Sequence, residues 1–293
     1  MTPIRLVPAA LAAALAATTT LTAHAQETAS YAVTTDVKLT TDQRSRGVSD
    51  SFNRPGAKVS VQVAHESGLV ALAEFATVSR KQFLDGAGVG VTLAGGYRFG
   101  DPEGWHYGLG LATELFPGAQ FQAPHSFNME TGEPGDWRST RYNSAFAVAE
   151  IGYGNLEARV MNVISKTYRG ANTGSVCGSM LALMADPTPA LECYARGDHN
   201  SRGSWLFDVG YKHPINPTTT LNLHAGYQRI ANFKEADFSD YSVGITHKHW
   251  GFNWTAEWMT TRTRVRALYV AMDGTRMRAT DNSRVVLSVS RSF

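Results

Sequence analysis

The sequence predicts an all-β fold: a transmembrane, antiparallel up-and-down β-barrel of about twelve strands, with short periplasmic turns and long outer loops. Three observations carry that prediction. Apolar and polar residues alternate with period two in about twelve separate stretches. The connections between these stretches alternate short and long. The chain ends on Asn282-Ser-Arg-Val-Val-Leu-Ser-Val-Ser-Arg-Ser-Phe293, a strand pattern that stops on an aromatic residue.

The other end sets the compartment. Met1 to Ala25 has one positive charge, Arg5, then an apolar Ala- and Leu-rich run, and ends in Ala23-His24-Ala25 before Gln26. This is the pattern of a cleaved secretory signal peptide, so residues 1–25 are read as that leader and 26–293 as one outer-membrane barrel domain. No stretch after Gln26 approaches the roughly 18 uninterrupted apolar residues of a membrane helix. A formal net charge of +2 supplies no basic face for nucleic acid.

The elements follow in order. Tyr31, Val33, Val37 and Leu39 form one face of the first strand, opposite Thr34, Asp36, Lys38 and Thr40. After a polar stretch with Arg44, Arg46 and Gly47, the second strand sets Val59, Val61 and Val63 against Lys58, Ser60 and Gln62. Glu66-Ser-Gly68 turns the chain into the third, where Glu74 faces away from Phe75. The fourth puts Val89, Val91, Leu93, Tyr97 and Phe99 on one side, with Gly96 and Arg98 on the other. Gly100-Asp-Pro-Glu-Gly104 leads to the fifth, with Trp105, Tyr107, Leu109 and Leu111 in alternation.

A long Pro- and Gly-bearing connection spans Pro117 to Arg141. The sixth strand is ambiguous in face, because Phe146 and Val148 compete with Ala145, Ala147 and Ile151. The seventh sets Glu157 and Arg159 opposite Leu156, Ala158 and Val160; the longest connection, Lys166 to Gly203, follows it. Trp205, Phe207, Val209 and Tyr211 define the eighth, with Asp208 and Lys212 facing away. The ninth carries Leu221, Leu223 and Tyr227 opposite Asn222 and His224, and the tenth Tyr241, Val243 and Ile245. The eleventh pairs Phe252, Trp254 and Trp258 against Asn253 and Glu257. An arginine-rich loop (Arg262, Arg264, Arg266, Arg276, Arg278) precedes the closing strand. There Val285, Leu287, Val289 and Phe293 share a face with Arg291, which can snorkel toward the headgroups.

Threaded as a barrel, the aromatics form two belts. Tyr31, Tyr97, Phe99, Trp105, Tyr107, Tyr211, Phe252 and Phe293 fall at the periplasmic rim. Phe75, Phe116, Trp205, Tyr227, Tyr241 and Trp258 fall at the outer rim. Belts flanking an apolar band are what a barrel in lipid presents.

Asp42-x-Arg44-x-Arg46-Gly47-Val48-Ser49-Asp50, with Pro55 after it, resembles the opening of the proteobacterial TorF-type (Gcw) porins, in which Asp-Tyr-Arg-Phe-Arg-Gly-Ile-Ser follows the first strand. Leu115-Phe-Pro-Gly118 and the closing Arg284–Phe293 are similar to that family too. Gln43 and Ser45 stand where the family prefers aromatics, and the cysteine-containing outer connection is longer. The resemblance implies an outer-membrane barrel and no particular solute. A chain that stops on an aromatic at the end of such a strand also looks like outer-membrane barrels in general, in which the terminal aromatic, here Phe293, is read by the barrel assembly machinery; outer-membrane lipid and lipopolysaccharide are the expected surroundings.

The candidate site is the lumen. Asp36, Lys38, Glu74, Arg98, Glu157, Arg159, Asp208, Lys212, His224 and Glu257 all lie opposite the apolar face. They would either line a narrow water-filled pore for small solutes or cross-brace a plugged interior. Twelve strands stand between barrels filled by side chains and barrels with a wide channel. Mixed signs argue against strong ion preference, since selective pores use rings of one sign. Asp42, Arg44 and Arg46 are outer-mouth candidates: either turn-builders or donors to anionic solutes and lipopolysaccharide phosphate. The later arginines read as a solvated loop or as further phosphate contacts.

Cys177 and Cys193 in an oxidising compartment are expected to form a disulfide; a zinc site would need more ligands. His247 and His249 share a strand face, as a metal pair or simply as a rim feature. Gly86-x-Gly88-x-Gly90 is no phosphate cradle, because strand alternation continues through it. An outer-membrane enzyme would need a nucleophile beside an orienting His, and no Gly-x-Ser-x-Gly occurs. The expected function is therefore passive diffusion of small hydrophilic solutes, not enzymatic, with no cofactor and no metal. A closed barrel acting as a surface scaffold or adhesin is the alternative.

Overall fold

The computed structural model describes residues 30–293; the expected signal peptide, residues 1–25, lies outside them. Twelve strands close into one antiparallel barrel. Around the wall run β1 (Tyr31–Thr40), β4 (Gly56–His65), β5 (Leu69–Thr77), β6 (Val89–Gly100), β7 (Trp105–Leu115) and β10 (Ser144–Tyr153). They are followed by β11 (Leu156–Val163), β12 (Trp205–Asn216), β13 (Thr219–Arg229), β14 (Phe238–His249), β15 (Phe252–Thr263) and β18 (Arg284–Ser292). The last pairs with the first, Asp36 opposite Ser292 and Thr40 opposite Ser288. The Phe293 backbone extends that seam by exchanging hydrogen bonds with Thr35 at 2.9 and 3.1 Å. Closure pairs the backbone groups where lipid offers no partner.

The outward face is apolar because the period-two alternation leaves it so. Leu109 and Leu287 are 61 and 53% exposed, while Asp208 and Arg159 on the same wall point inward and pair with other side chains. An apolar surface this continuous is stable against hydrocarbon and not against water. Aromatic side chains ring both ends, Trp105, Tyr153 and Trp254 below and Phe75, Trp205 and Trp258 above, all exposed. The protein is a β-barrel of the bacterial outer membrane. Phe116 departs from the expected outer belt: it is buried and stacks on Phe83 at 4.1 Å between ring centroids.

The inward face changes character with height. On β10, β11 and β12 the inward positions nearer the periplasm carry Glu150, Glu157, Arg159 and Asp208, whereas those at the outer end carry Phe146, Val163 and Leu206, all three buried. This explains the ambiguous sixth strand. Ala145, Ala147 and Ile151 face lipid, and Phe146 and Val148 face a hydrophobic plug inside the outer mouth.

The plug comes from the long loops, which are more structured than the sequence led one to expect. Residues 41–55 (L1) fold a small hairpin, β2 (Arg44–Ser45) with β3 (Val48–Ser49). The third loop is a hairpin of β8 (Gln120–Asn128) and β9 (Glu133–Arg141), and the sixth contains β16 (Val270–Asp273) with β17 (Arg276–Ala279).

The fourth loop, residues 164–204 (L4), holds two helices, α1 (Thr173–Leu183) and α2 (Thr188–Ala195). A capping box starts α1: Asn172 Oδ1 accepts from the Ser175 amide, and the Asn172 amide donates to Ser175 Oγ, both at 2.9 Å. The Cys177–Cys193 disulfide ties α1 to α2. Val176, Met180 and Tyr194 from these helices, Tyr168 ahead of them, and Phe146, Val163, Leu206 and Phe233 form one core over the lumen.

Candidate functional site: the barrel lumen

Below that core lies a cavity of about 820 Å³. It runs from the periplasmic turn at Gly154 and Asn155 up to Ser45, Arg46, Phe146, Tyr168 and Leu206. Its polar lining falls on alternate positions along each strand, the face left over once the apolar positions meet lipid. One ion-pair cluster occupies that lining, and a second lies on the inward face by the barrel seam and meets the cavity only through Glu74.

The first lies on β6, β10 and β11. Arg98 Nη2 donates to Glu150 Oε2 at 3.0 Å, Arg159 Nε to Glu150 Oε1 at 2.6 Å, and Arg159 Nη2 to Glu157 Oε1 at 3.0 Å. Glu150 thus bridges two guanidiniums. The second lies by the barrel seam. Lys38 and Lys58 are direct partners across β1 and β4, and Lys58 Nζ reaches Glu74 on β5 at 2.9 Å. Ser292 Oγ donates to Asp36 at the seam itself. Glu257 on β15 accepts from Ser242 Oγ at 2.5 Å. Lys212 lines the periplasmic part of the cavity and has no ion-pair partner among the described residues.

Between the clusters L1 crosses the lumen. Arg46 and Gly47 are the two turn residues of its hairpin, with φ of +51 and +74°, as a type I′ turn demands. A Cβ at Gly47 would strike Thr261 Oγ1 and sit 3.2 Å from Asp240 Cβ, so the tip is wedged against β14 and β15. Arg46 then reaches the far wall. Its Nη1 donates to both carboxylate oxygens of Asp208 at 2.6 and 2.7 Å, and its Nη2 donates to the Phe207 carbonyl at 3.0 Å. Asp240 lies 3.6 Å away and is itself hydrogen-bonded to His224 Nε2 at 2.8 Å. Although Arg46 belongs to an outer loop, its side chain is 8% exposed and forms part of the ceiling of the cavity.

Asp42 and Arg44 build that loop. The fully buried Asp42 carboxylate accepts from Arg44 Nε at 2.7 Å and from the hydroxyls of Ser49 and Ser51 at 2.6 and 2.9 Å. Arg44 Nη1 also donates to the carbonyls of Gly47 and Asn282 at 2.5 and 2.8 Å.

From above, L4 holds L1 down through Arg169, whose Nη1 donates to Asp50 Oδ1, whose Nε donates to Glu114 Oε2, and whose Nη2 donates to Ser45 Oγ, at 2.9, 2.9 and 3.0 Å. Burial opposes the Arg169 charge, but Asp50 and Glu114 together outweigh it and hold Arg169 well above its ordinary range. Burial, outweighing Arg169, pushes Asp50 up to about 6.

The lumen brings together Asp36, Lys38, Glu74, Arg98, Glu157, Arg159, Asp208, Lys212, His224 and Glu257 as inward-facing groups, but in separate clusters instead of one ring. Sequence reading missed Glu150, Asp240, Asp50, Glu114 and Arg169. Glu150 was hidden by the face ambiguity of its strand. Asp240 was legible: it alternates with Tyr241 and Val243. Arg169 gave no signal, since nothing in a long loop says which residue will fold inward. His247 and His249 stack at 6.0 Å between centroids next to the exposed Trp250. Among the described residues no group of three metal-ligating side chains occurs.

Comparison with known proteins adds the following. A family model described as "Bacterial protein of unknown function (Gcw_chp)" matches residues 24–293. No curated protein matches in sequence. Among solved structures, the KdgM porin is 8% identical with a TM-score of 0.46, over 89% of this chain and 99% of that one. The NanC porin is 9% identical with a TM-score of 0.47, over 87 and 97%. An outer membrane channel from Pseudomonas putida F1 is 10% identical with a TM-score of 0.36, over 92 and 100%. Those likenesses are of barrel outline.

Proposed function

The chain belongs to the bacterial Gcw_chp family, and from that premise we propose that it is a porin-like channel for passive diffusion of small hydrophilic solutes, with the L1 hairpin as its constriction. The observation that carries the reading is the charged cavity of about 820 Å³ capped by Arg46. A barrel meant only as a scaffold has no use for a wet, charged interior, because apolar packing stabilises a closed core at lower desolvation cost. Mixed charge along the path favours small polar solutes without a strong preference for one sign. An enzyme is disfavoured by the hydrogen bonding: Ser242, the register partner of His224, donates to Glu257, and His224 bonds to Asp240.

The constriction is held by ion pairs at its tip and by Arg169 behind it. Removing the tip widens the path without touching the wall. Single-channel conductance of purified, refolded protein in a planar bilayer tests this. Wild type is expected to pass a steady, small current, and Arg46→Ala a current about two- to threefold larger, since removing the charge-assisted anchor frees the hairpin. A correctly inserted barrel silent in wild type and Arg46→Ala alike sinks the channel. The apolar core inside the outer mouth would then favour the second reading, a closed barrel that presents its disulfide-tied L4 as a surface scaffold or adhesin. Liposome swelling with sugars, amino acids and organic anions identifies which solutes enter.

A further inference from the structure

Outside the lumen, one stretch of the outer rim differs from the rest. On β13 the lipid-facing positions rise from Leu223 through Tyr227 to Arg229, and on β15 from Trp258 through Thr260 to Arg262. Tyr227, Ser239 and Arg262 form one row across three strands. One step higher, the Arg264 amide donates to the Asp237 carbonyl at 3.3 Å, which continues the ladder and places Arg264 on the same rim. Arg229, Arg262 and Arg264 are all exposed. Among the described residues, neither Arg229 nor Arg262 has a carboxylate within ion-pair distance, and Arg264 Nε stands 4.0 Å from Asp237.

Among the described residues Asp237 is the acidic group on this rim row; the neighbouring Glu235 is paired with Arg196 at 3.1 Å. Asp237 is buried, its Oδ1 accepts from the Ile230 amide at 2.7 Å, and burial holds its carboxyl above the ordinary range. Three exposed guanidiniums therefore stand over one enclosed acid. Elsewhere the matching rim positions are uncharged: Thr77 on β5, Val89 on β6, Leu115 on β7 and Ala145 on β10. Beside and below them lie the exposed aromatics Tyr227, Tyr241 and Trp258, the belt that marks the edge of the hydrocarbon.

We infer that Arg229, Arg262 and Arg264, with the Ser239 hydroxyl between them, form a binding site for the phosphate groups of an outer-leaflet lipid. A guanidinium offers paired N–H donors that match phosphate oxygens, and charge-assisted bonds at this boundary are less screened than in bulk water. The aromatic belt beneath meets the acyl chains, so a membrane lipid satisfies both parts of the surface and a free anion only one. The site is outside the barrel and independent of whether the lumen conducts.

The test uses the full chain purified in detergent, with retained lipid read by native mass spectrometry. Bisphosphorylated lipid A, lipid A stripped of both phosphates, and inorganic phosphate as competitor are the three probes. Wild type is expected to retain bisphosphorylated lipid A at least about tenfold more tightly than the stripped form, with little competition from inorganic phosphate. The Arg229→Gln/Arg262→Gln/Arg264→Gln variant is expected to lose that preference, and the corresponding lysine variant to recover part of it. Heat-modifiable migration checks that each variant is folded. If the triple variant does not fold, Arg262→Gln and the two lipid A forms on wild type still decide. Equal retention of both lipid forms by wild type, full competition by inorganic phosphate, or an undiminished preference in the glutamine variants overturns the site.

Discussion

Asp50 is the residue at which loop packing and solution conditions meet. Its carboxyl is buried beside Arg169 and titrates near 6, above the ordinary aspartate value of about 3.9. The folded protein therefore holds a proton over that interval which the unfolded chain has released. The contribution of this group to stability is complete below the lower value and is lost as pH rises through 6. Wild type is expected to lose on the order of 1–3 kcal/mol of stability between pH 4 and 7 from this group. The midpoint of heat-modifiable unfolding measured across that range checks it, and Asp50→Asn is expected to flatten the slope. An unchanged slope in Asp50→Asn would assign the pH dependence to other carboxylates. The motif around it was visible in the sequence, Asp42 through Asp50, but its use was not. Nothing local distinguishes Arg44, which braces its own loop, from Arg46, which spans the lumen. The difference arises because the turn at Arg46 and Gly47 aims one guanidinium across the barrel at Asp208.

Among the elements, L4 shows how far a loop can carry tertiary structure. Its helices are short and would be marginal alone; they persist because Val176, Met180 and Tyr194 bury against inward residues of the barrel and because Cys177 and Cys193 close a segment with a sequence separation of 16. Closing a loop of that size contributes about 3 kcal/mol by chain entropy. The Cys177→Ser/Cys193→Ser variant, or wild type under reductant, is expected to open L4 without opening the barrel. Limited proteolysis reads this as faster cleavage within residues 164–204 beside an unchanged heat-modifiable core. Cleavage as slow as in the oxidised protein would mean that packing alone holds the loop. The pairing of the cysteines was legible from compartment and count. The helices were not, because their apolar residues match a surface that exists only when β10, β11 and β12 curve round to supply Phe146, Val163 and Leu206.

The whole molecule depends on the seam. β18 pairs with β1 and β15, and Phe293 adds the last backbone pair while its ring lies 5.0 Å from the Arg291 guanidinium. That guanidinium also lies 5.5 Å from the ring of Phe252, which keeps a charged side chain on the lipid face at the rim. We propose that the terminal aromatic serves the barrel assembly machinery as well as the seam. Deleting Phe293 is expected to reduce the heat-modifiable, protease-resistant fraction in cells severalfold; an unchanged fraction would remove that role.

Period-two alternation, belts of aromatics and the rhythm of short turns and long loops by themselves determined a twelve-stranded barrel and, on every strand but the sixth, its inside and its outside, because lipid and water sort side chains strand by strand. The loops obey no such sorting. Only the closed cylinder decided that Arg46 would cross the lumen, that Phe116 would leave the aromatic belt, and that apolar residues would pack together inside the outer mouth. Those contacts join residues far apart in the chain, and they exist only once the wall has closed around them.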